Sequence, residues 1–209
     1  MSMRKLITGS LAATCLFAAT AASVFAAPEV GKPAPSFSAI AADGSSVSLD
    51  ALRGQKVVLE WTNHECPFVV KHYRTGNMQA TQAAAVEHGA VWLQVISSAP
   101  GTQGHVEAAK AVELNHQRNV TAVAHTLLDP EGKVGQAYDA RVTPHMYIID
   151  EEGTLVYMGG IDSIASTRDG DIDKASNYVK EALTALAAGE AVPNPVTRAY
   201  GCTIKYDAS

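Results

Sequence analysis

From Val57 onward the chain alternates short β-branched, apolar runs with stretches of helix-forming residues, and this alternation narrows the fold more than any other feature. Val57-Val58-Leu59-Glu60-Trp61 is apolar at consecutive positions rather than at every second one, the pattern of a strand buried on both faces. Residues 91–97 repeat that pattern. Between the two, residues 67–74 read as helix, Gly76-Asn77 interrupts it, and residues 78–88 resume it with Ala, Gln and Glu. Residues 106–117 form the next helix. A strand over 126–129 then ends in the Pro130-Glu131-Gly132 turn, a short helix spans 134–138, and a strand over 145–150 turns at Glu152-Gly153 into residues 155–158. A last helix covers 173–188, with Val179, Leu183 and Leu186 spaced three to four apart and Gly189 as its stop. Upstream, residues 36–40 alternate and Asp43-Gly44 turns the chain into a small N-terminal hairpin. The expected class is α/β, a mostly parallel central sheet with helices on both faces and one antiparallel pair at Glu152-Gly153.

The 209 residues are 47% hydrophobic, enough for a sizeable core and against a disordered chain. A net charge of −5 offers no footprint for nucleic acid or anionic lipid, so neither is an expected partner. Arg4 and Lys5 precede an apolar, Ala-rich stretch, and Val24-Phe25-Ala26 has the small-residue pattern of a cleavage site. Residues 1–26 are therefore read as a signal peptide, which places the mature protein in the periplasm or outside the cell, with no membrane contact once the leader is removed. Residues 27–192 form one domain and 193–209 a polar tail. Loss of the leader removes Cys15 and leaves Cys66 and Cys202, either a structural disulfide or a redox pair in an oxidising compartment.

Cys66 stands at the end of a strand-to-helix loop, directly before Pro67, where first-turn N–H groups and the helix dipole favour a thiolate. The dipole contributes only about 0.3–1 kcal/mol, so full activation calls for a further cation or donor. His64, His72 and Arg141 are the candidates, and Glu65 opposes them. The alternative is a buried, inert cysteine. Further on, Thr143-Pro144 puts a proline at the entry to a strand, which suits a cis bond or an edge position equally well.

The segment Asn63-His64-Glu65-Cys66-Pro67-Phe68-Val69 after a Trp-containing strand, then Asp129-Pro130-Glu131-Gly132, Ala137-Tyr138, Thr143-Pro144 and Leu155-Val156-Tyr157, resembles the thioredoxin-fold redoxin family. Within it the chain is similar to the peroxiredoxin-like branch, also called alkyl hydroperoxide reductase/thiol-specific antioxidant, over residues 30–188. The resemblance implies a thioredoxin-like fold with a central mixed sheet. It also implies Cys66 as nucleophile, Pro144 as a cis-proline facing it, and Thr143 as a backbone contact for an incoming peptide or disulfide. Three positions depart from the pattern. Val69 stands where a thioredoxin carries its second cysteine, and Asn63 and Leu59 stand where peroxiredoxins carry Thr or Ser and Pro. Asn63 retains a hydrogen-bonding side chain for the substrate pocket, and Arg141 corresponds to the cation kept near the sulfur.

Cys202, in the tail beside Gly201, is positioned to swing in and resolve a Cys66 sulfenate. The competing role is a permanent staple, worth ~5 kcal/mol in the chain-entropy model. His64, Cys66, His72, His145 and Cys202 include copper and zinc ligand types, but no two have a finger-like spacing, and no metal is assigned. Phosphate-cradling Gly-rich loops, His-Glu-x-x-His and Gly-x-Ser-x-Gly are absent from the sequence, and no heme, flavin or nicotinamide cofactor is implied. The expected function is a thiol oxidoreductase acting on a peroxide or a protein disulfide and reset by an external thiol reductant, with Cys66, Cys202 and Arg141 catalytic and Asn63, Thr143 and Pro144 at the substrate. Exchange of disulfides without peroxidase activity, and a metal-binding or structural module, are the alternatives.

Overall fold

The computed structural model describes residues 27–207, so the leader expected over 1–26 lies outside the described residues. The strands are β1 (Ser38–Ala41), β2 (Ser46–Ser48), β3 (Lys56–Trp61), β4 (Ala90–Ile96), β5 (His125–Leu128), β6 (Val142–Thr143), β7 (His145–Ile149), β8 (Leu155–Gly159) and β9 (Cys202–Thr203). The helices are α1 (Pro67–Arg74), α2 (Asn77–Glu87), α3 (Ala108–Gln117), α4 (Lys133–Ala137) and α5 (Tyr178–Ala187). One sheet runs β2-β1-β5-β4-β3-β7-β8, and β6 pairs with β9 apart from it.

The expectation of a mostly parallel sheet needs correction. Only β3–β4 and β4–β5 are parallel, while β1–β2, β1–β5, β3–β7 and β7–β8 are antiparallel. Helix length explains the difference. A parallel return needs a crossover of a dozen or more residues, usually helical. The 8-residue α1 with the 11-residue α2, and then the 10-residue α3, supply the two that occur. The 5-residue α4 does not cross the sheet, so β7 starts from the end where β5 stopped.

Burial on both faces accounts for the consecutive apolar Val57-Val58-Leu59 of β3. Val57, Leu59 and Trp61 join Leu93, Val95, Leu127, Tyr147 and Ile149 in one core, which α4 covers with Val134 and Ala137. Val58, Trp92, Met146 and Ile148 form the opposite core with Val69 of α1, Met78 of α2 and Val179 and Leu183 of α5. Cys66 lies in this second core.

The last helix begins later than the spacing suggested. Residues Asp169–Lys174 are a 3-10 turn, and α5 starts after Asn177, whose side chain accepts the Lys180 N–H at 3.0 Å and supplies the cap that Asp173 does not.

The segment after α5 is no free tail. Pro195 O accepts the Met158 N–H at 3.0 Å, Thr197 N–H bonds Met158 O at 3.1 Å, and β9 pairs Thr203 with Val142 and Cys202 with Thr143. Ile204 is buried in the first core, and Lys205 O accepts the Ala99 N–H at 2.7 Å. Among the described residues no helix is long and apolar enough to cross a membrane.

Candidate active site

Cys66 is the N-cap of α1, in an extended conformation with Pro67 in the first turn, and its carbonyl accepts the Val70 N–H at 2.8 Å. Pro67 suits that place because a first-turn N–H has no helical partner to lose. The loop before it is held by Asn63, whose carbonyl accepts the Cys66 N–H at 3.1 Å and whose side-chain Oδ1 accepts the Glu65 N–H at 2.9 Å. Asn63 thus shapes the turn that presents the cysteine. Glu65, expected to oppose a thiolate, is exposed and accepts the Gly104 N–H at 2.8 Å. Gly104 is required there, since a Cβ would sit 2.6 Å from the Asn63 side chain.

The Cys66 side chain is fully buried. Its Sγ donates to the Thr143 carbonyl at 3.0 Å and accepts the main-chain N–H of Cys202 at 3.4 Å. Thr143-Pro144 is cis, and Thr143 is buried against the sulfur. Both cysteines are free thiols. Burial, then the hydrogen bond to Cys66 and its charge, push the Cys202 thiol up to about 12. Cys202 therefore keeps its proton at neutral pH.

The three expected cations are placed differently from the expectation. The Arg141 guanidinium bonds Asp139 at 3.0 and 2.7 Å, with its side chain 75% exposed. Asp139 itself has a left-handed φ of 48°. What Arg141 does give the site is its carbonyl, which accepts the Ile204 N–H at 3.0 Å beside β9. His64 is held below the ordinary histidine range by burial. Burial and the neighbouring Lys71 charge push His72 down to about 3. At the Cys66 sulfur the structure places the Cys202 backbone N–H, where sequence reasoning looked for a cation.

Two buried polar clusters flank the cysteine helix. Glu60, fully buried in β3, accepts from Tyr73 Oη at 2.7 Å, Trp92 Nε1 at 2.9 Å and Gln82 Nε2 at 3.2 Å, and burial raises its carboxyl above the usual range. On the other side, Asn77 Nδ2 donates to His72 Nδ1 at 2.8 Å, and His72 Nε2 lies 3.2 Å from Tyr200 Oη. Tyr200 Oη in turn donates to Asp162. Lys71 is fully buried, with Nζ 3.8 Å from Asp162 Oδ2 and no hydrogen bond of its own. Sequence reasoning passed over Glu60, Lys71, Asp162 and Tyr200. The available signals were a carboxylate inside a strand buried on both faces and His72 three residues after Val69, on the apolar side of α1.

His145 is likewise pushed down, to about 4, by burial. Neutral in the fold but protonated below about 6.5 when unfolded, His72 and His145 contribute stability at neutral pH that is lost as pH falls from about 6.5 toward their folded values. Each costs up to roughly 1.4 kcal/mol per pH unit. Glu60, raised in the fold, acts in the opposite sense. The expected result is a shallower fall in urea-unfolding free energy between pH 6.5 and 4.5 for His72→Gln than for wild type. Equal slopes would show that His72 is not the titrating group.

Among the described residues no three His, Cys, Asp or Glu side chains gather as a metal site. His72 and His145 are instead engaged with Tyr200 and Tyr147.

No curated protein sequence matches the chain. Among solved structures, a hypothetical protein from Sinorhizobium meliloti superposes with a TM-score of 0.71 at 20% identity, over 88% of this chain and 98% of that one. An uncharacterized conserved protein from Geobacillus kaustophilus gives 0.68 at 25% identity, over 90% and 95%. The thioredoxin domain of a thiol-disulfide oxidoreductase from Bacteroides vulgatus gives 0.51 at 21% identity, over 70% and 96%. These likenesses carry the fold, which is thioredoxin-like. The AhpC/TSA family model matches residues 30–158, a span that holds β1 through most of β8 and includes Cys66, Asn63, Arg141, Thr143 and Pro144 but stops short of Cys202. With Cys66 at its helix start and a cis-proline beside the sulfur, the chain belongs to the AhpC/TSA family and is a thiol-dependent oxidoreductase.

Proposed function

We propose that the protein is an exported peroxidase in which Cys66 attacks and Cys202 resolves. The observation that carries this reading is the Cys202 N–H at 3.4 Å from a buried Cys66 Sγ, with the Cys202 thiol held protonated. The Cys66 thiolate attacks one oxygen of a peroxide, the O–O bond breaks, and the departing alkoxide or hydroxide takes a proton from solvent. Cys66 is then a sulfenic acid. The Cys202 sulfur attacks it, a Cys66–Cys202 bond forms, and water leaves with the Cys202 proton. An external dithiol then reduces the bond, with the half-exposed Cys202 the accessible sulfur for its attack. Thr143 and Pro144 line the sulfur side, Asn63 fixes the loop, and Arg141 serves through its carbonyl.

A small oxidant suits the site better than a protein disulfide. An incoming peptide would use the Thr143 backbone edge, and in the reduced protein β9 already occupies it. The leader-like residues 1–26 support action in the periplasm or outside the cell. Stopped-flow mixing of the reduced mature protein with a small excess of hydrogen peroxide, followed by intact mass, tests the reading. Loss of the Cys66 thiol far faster than that of a free thiol is expected, and loss at an ordinary rate would overturn peroxidase action and direct the next trial to disulfide substrates.

A further inference from the structure

Strand β9 has two residues, and Gly201 before it contributes no side chain to hold them. So short a pairing does not by itself fix where Cys202 stands. Its nearest upstream anchor is Tyr200, whose ring packs edge-on against Phe68 at 5.6 Å between centroids. The Tyr200 hydroxyl lies between Asp162, to which it donates, and His72 Nε2 at 3.2 Å. Asn77 donates to His72 Nδ1, which leaves the ring proton on Nε2 to point at Tyr200. Each donor in this chain thus has one acceptor. The fully buried Lys71 ammonium, 3.8 Å from Asp162 and 5.8 Å from the Tyr200 ring centroid, supplies the compensating charge. Phe68, Lys71 and His72 all belong to α1, the helix that Cys66 caps.

We propose that Tyr200 is the positioning residue of Cys202: its hydroxyl, held by Asp162 and His72, docks the segment before β9 onto the Cys66 helix and so sets how fast the two sulfurs join. The inference rests on Cys202 being the resolving cysteine. Tyr200 does not touch the reacting atoms, so its removal acts on the second step and not on the first. A role in folding alone would not separate the two steps.

The test compares wild type, Tyr200→Phe and the milder Asn77→Ala, which releases the far side of the His72 ring without emptying the pocket. Hydrogen peroxide is the probe. Sulfenic acid formation and disulfide formation are read as separate phases by stopped flow and quenched intact mass, and melting temperatures check folding. For Tyr200→Phe the first phase is expected to keep its rate while the second slows about tenfold or more, the effect of losing a hydrogen bond to a charged group. A product about 32 Da heavier than the reduced chain should then build up, because a long-lived sulfenic acid meets a second peroxide. Asn77→Ala should slow the second phase less, and it carries the test if Tyr200→Phe does not fold. An unchanged second phase in a folded variant, with wild type forming the disulfide, would overturn the role of Tyr200 and leave the peroxidase reading standing. Failure of wild type itself to form the disulfide would overturn the resolving role of Cys202, and the positioning role with it.

Discussion

Replacing Cys202 with Ser should change the product of one peroxide turnover from a disulfide about 2 Da lighter than the reduced chain to a Cys66 sulfenic acid about 16 Da heavier. The substitution keeps the backbone N–H that faces Cys66 Sγ and the pairing of β9 with β6, so the attacking sulfur keeps its surroundings. Only the second sulfur is missing. The first phase of the reaction should therefore persist and the second vanish, with excess peroxide driving the trapped acid to the sulfinic state. Intact mass after a single equivalent of peroxide reads the outcome directly. A variant that loses melting temperature but yields the same Cys66 product as wild type would instead make Cys202 a staple.

Gly201→Ala should have an effect of comparable size by undocking β9. A Cβ at Gly201 would fall into the Thr143 carbonyl, 2.5 Å from its carbon and 3.2 Å from Pro144 N. These are backbone atoms beside the Cys66 sulfur, so no rotamer change relieves the overlap. The φ of 144° adds a conformation that L residues rarely adopt, a strain of roughly 1–3 kcal/mol. The expected outcome is a folded domain whose Cys202 reacts with N-ethylmaleimide much faster than in wild type and whose disulfide forms at least about tenfold more slowly. The tenfold figure corresponds to losing roughly 1.4 kcal/mol of docking. Unchanged labelling and unchanged disulfide formation would mean that the strand accommodates the methyl group.

What the sequence revealed follows from how far apart the cooperating residues lie along the chain. The burial of β3 on both faces, the Cys66-Pro67 helix start and the Gly76-Asn77 break are local patterns, and each corresponds to an observed element. The direction of β7 was missed because it depends on whether α4 is long enough to cross the sheet, and helix ends are the least legible feature of a sequence. The docking of β9 was missed for another reason. A two-residue strand has no period, and its partner lies 59 residues upstream, Thr143 against Cys202. Lys71 and Asp162 drew no reading, because charge burial depends on a counter-charge brought in by distant chain. Arg141 was expected as the cation near the sulfur, yet Asp139 holds its guanidinium.

The order in which the chain is made gives the C-terminal segment another meaning. Domains generally begin to fold from the N-terminus as synthesis proceeds. The sheet from β1 to β8 is complete long before Ile204 can enter the first core or Cys202 can reach Cys66. For that interval Cys66, the proposed nucleophile, stands without Cys202. Peroxide met then would produce a sulfenic acid with no internal route to a disulfide. On the proposed mechanism, docking of the C-terminal segment closes this window, so vulnerability to irreversible oxidation would be greatest before β9 is in place.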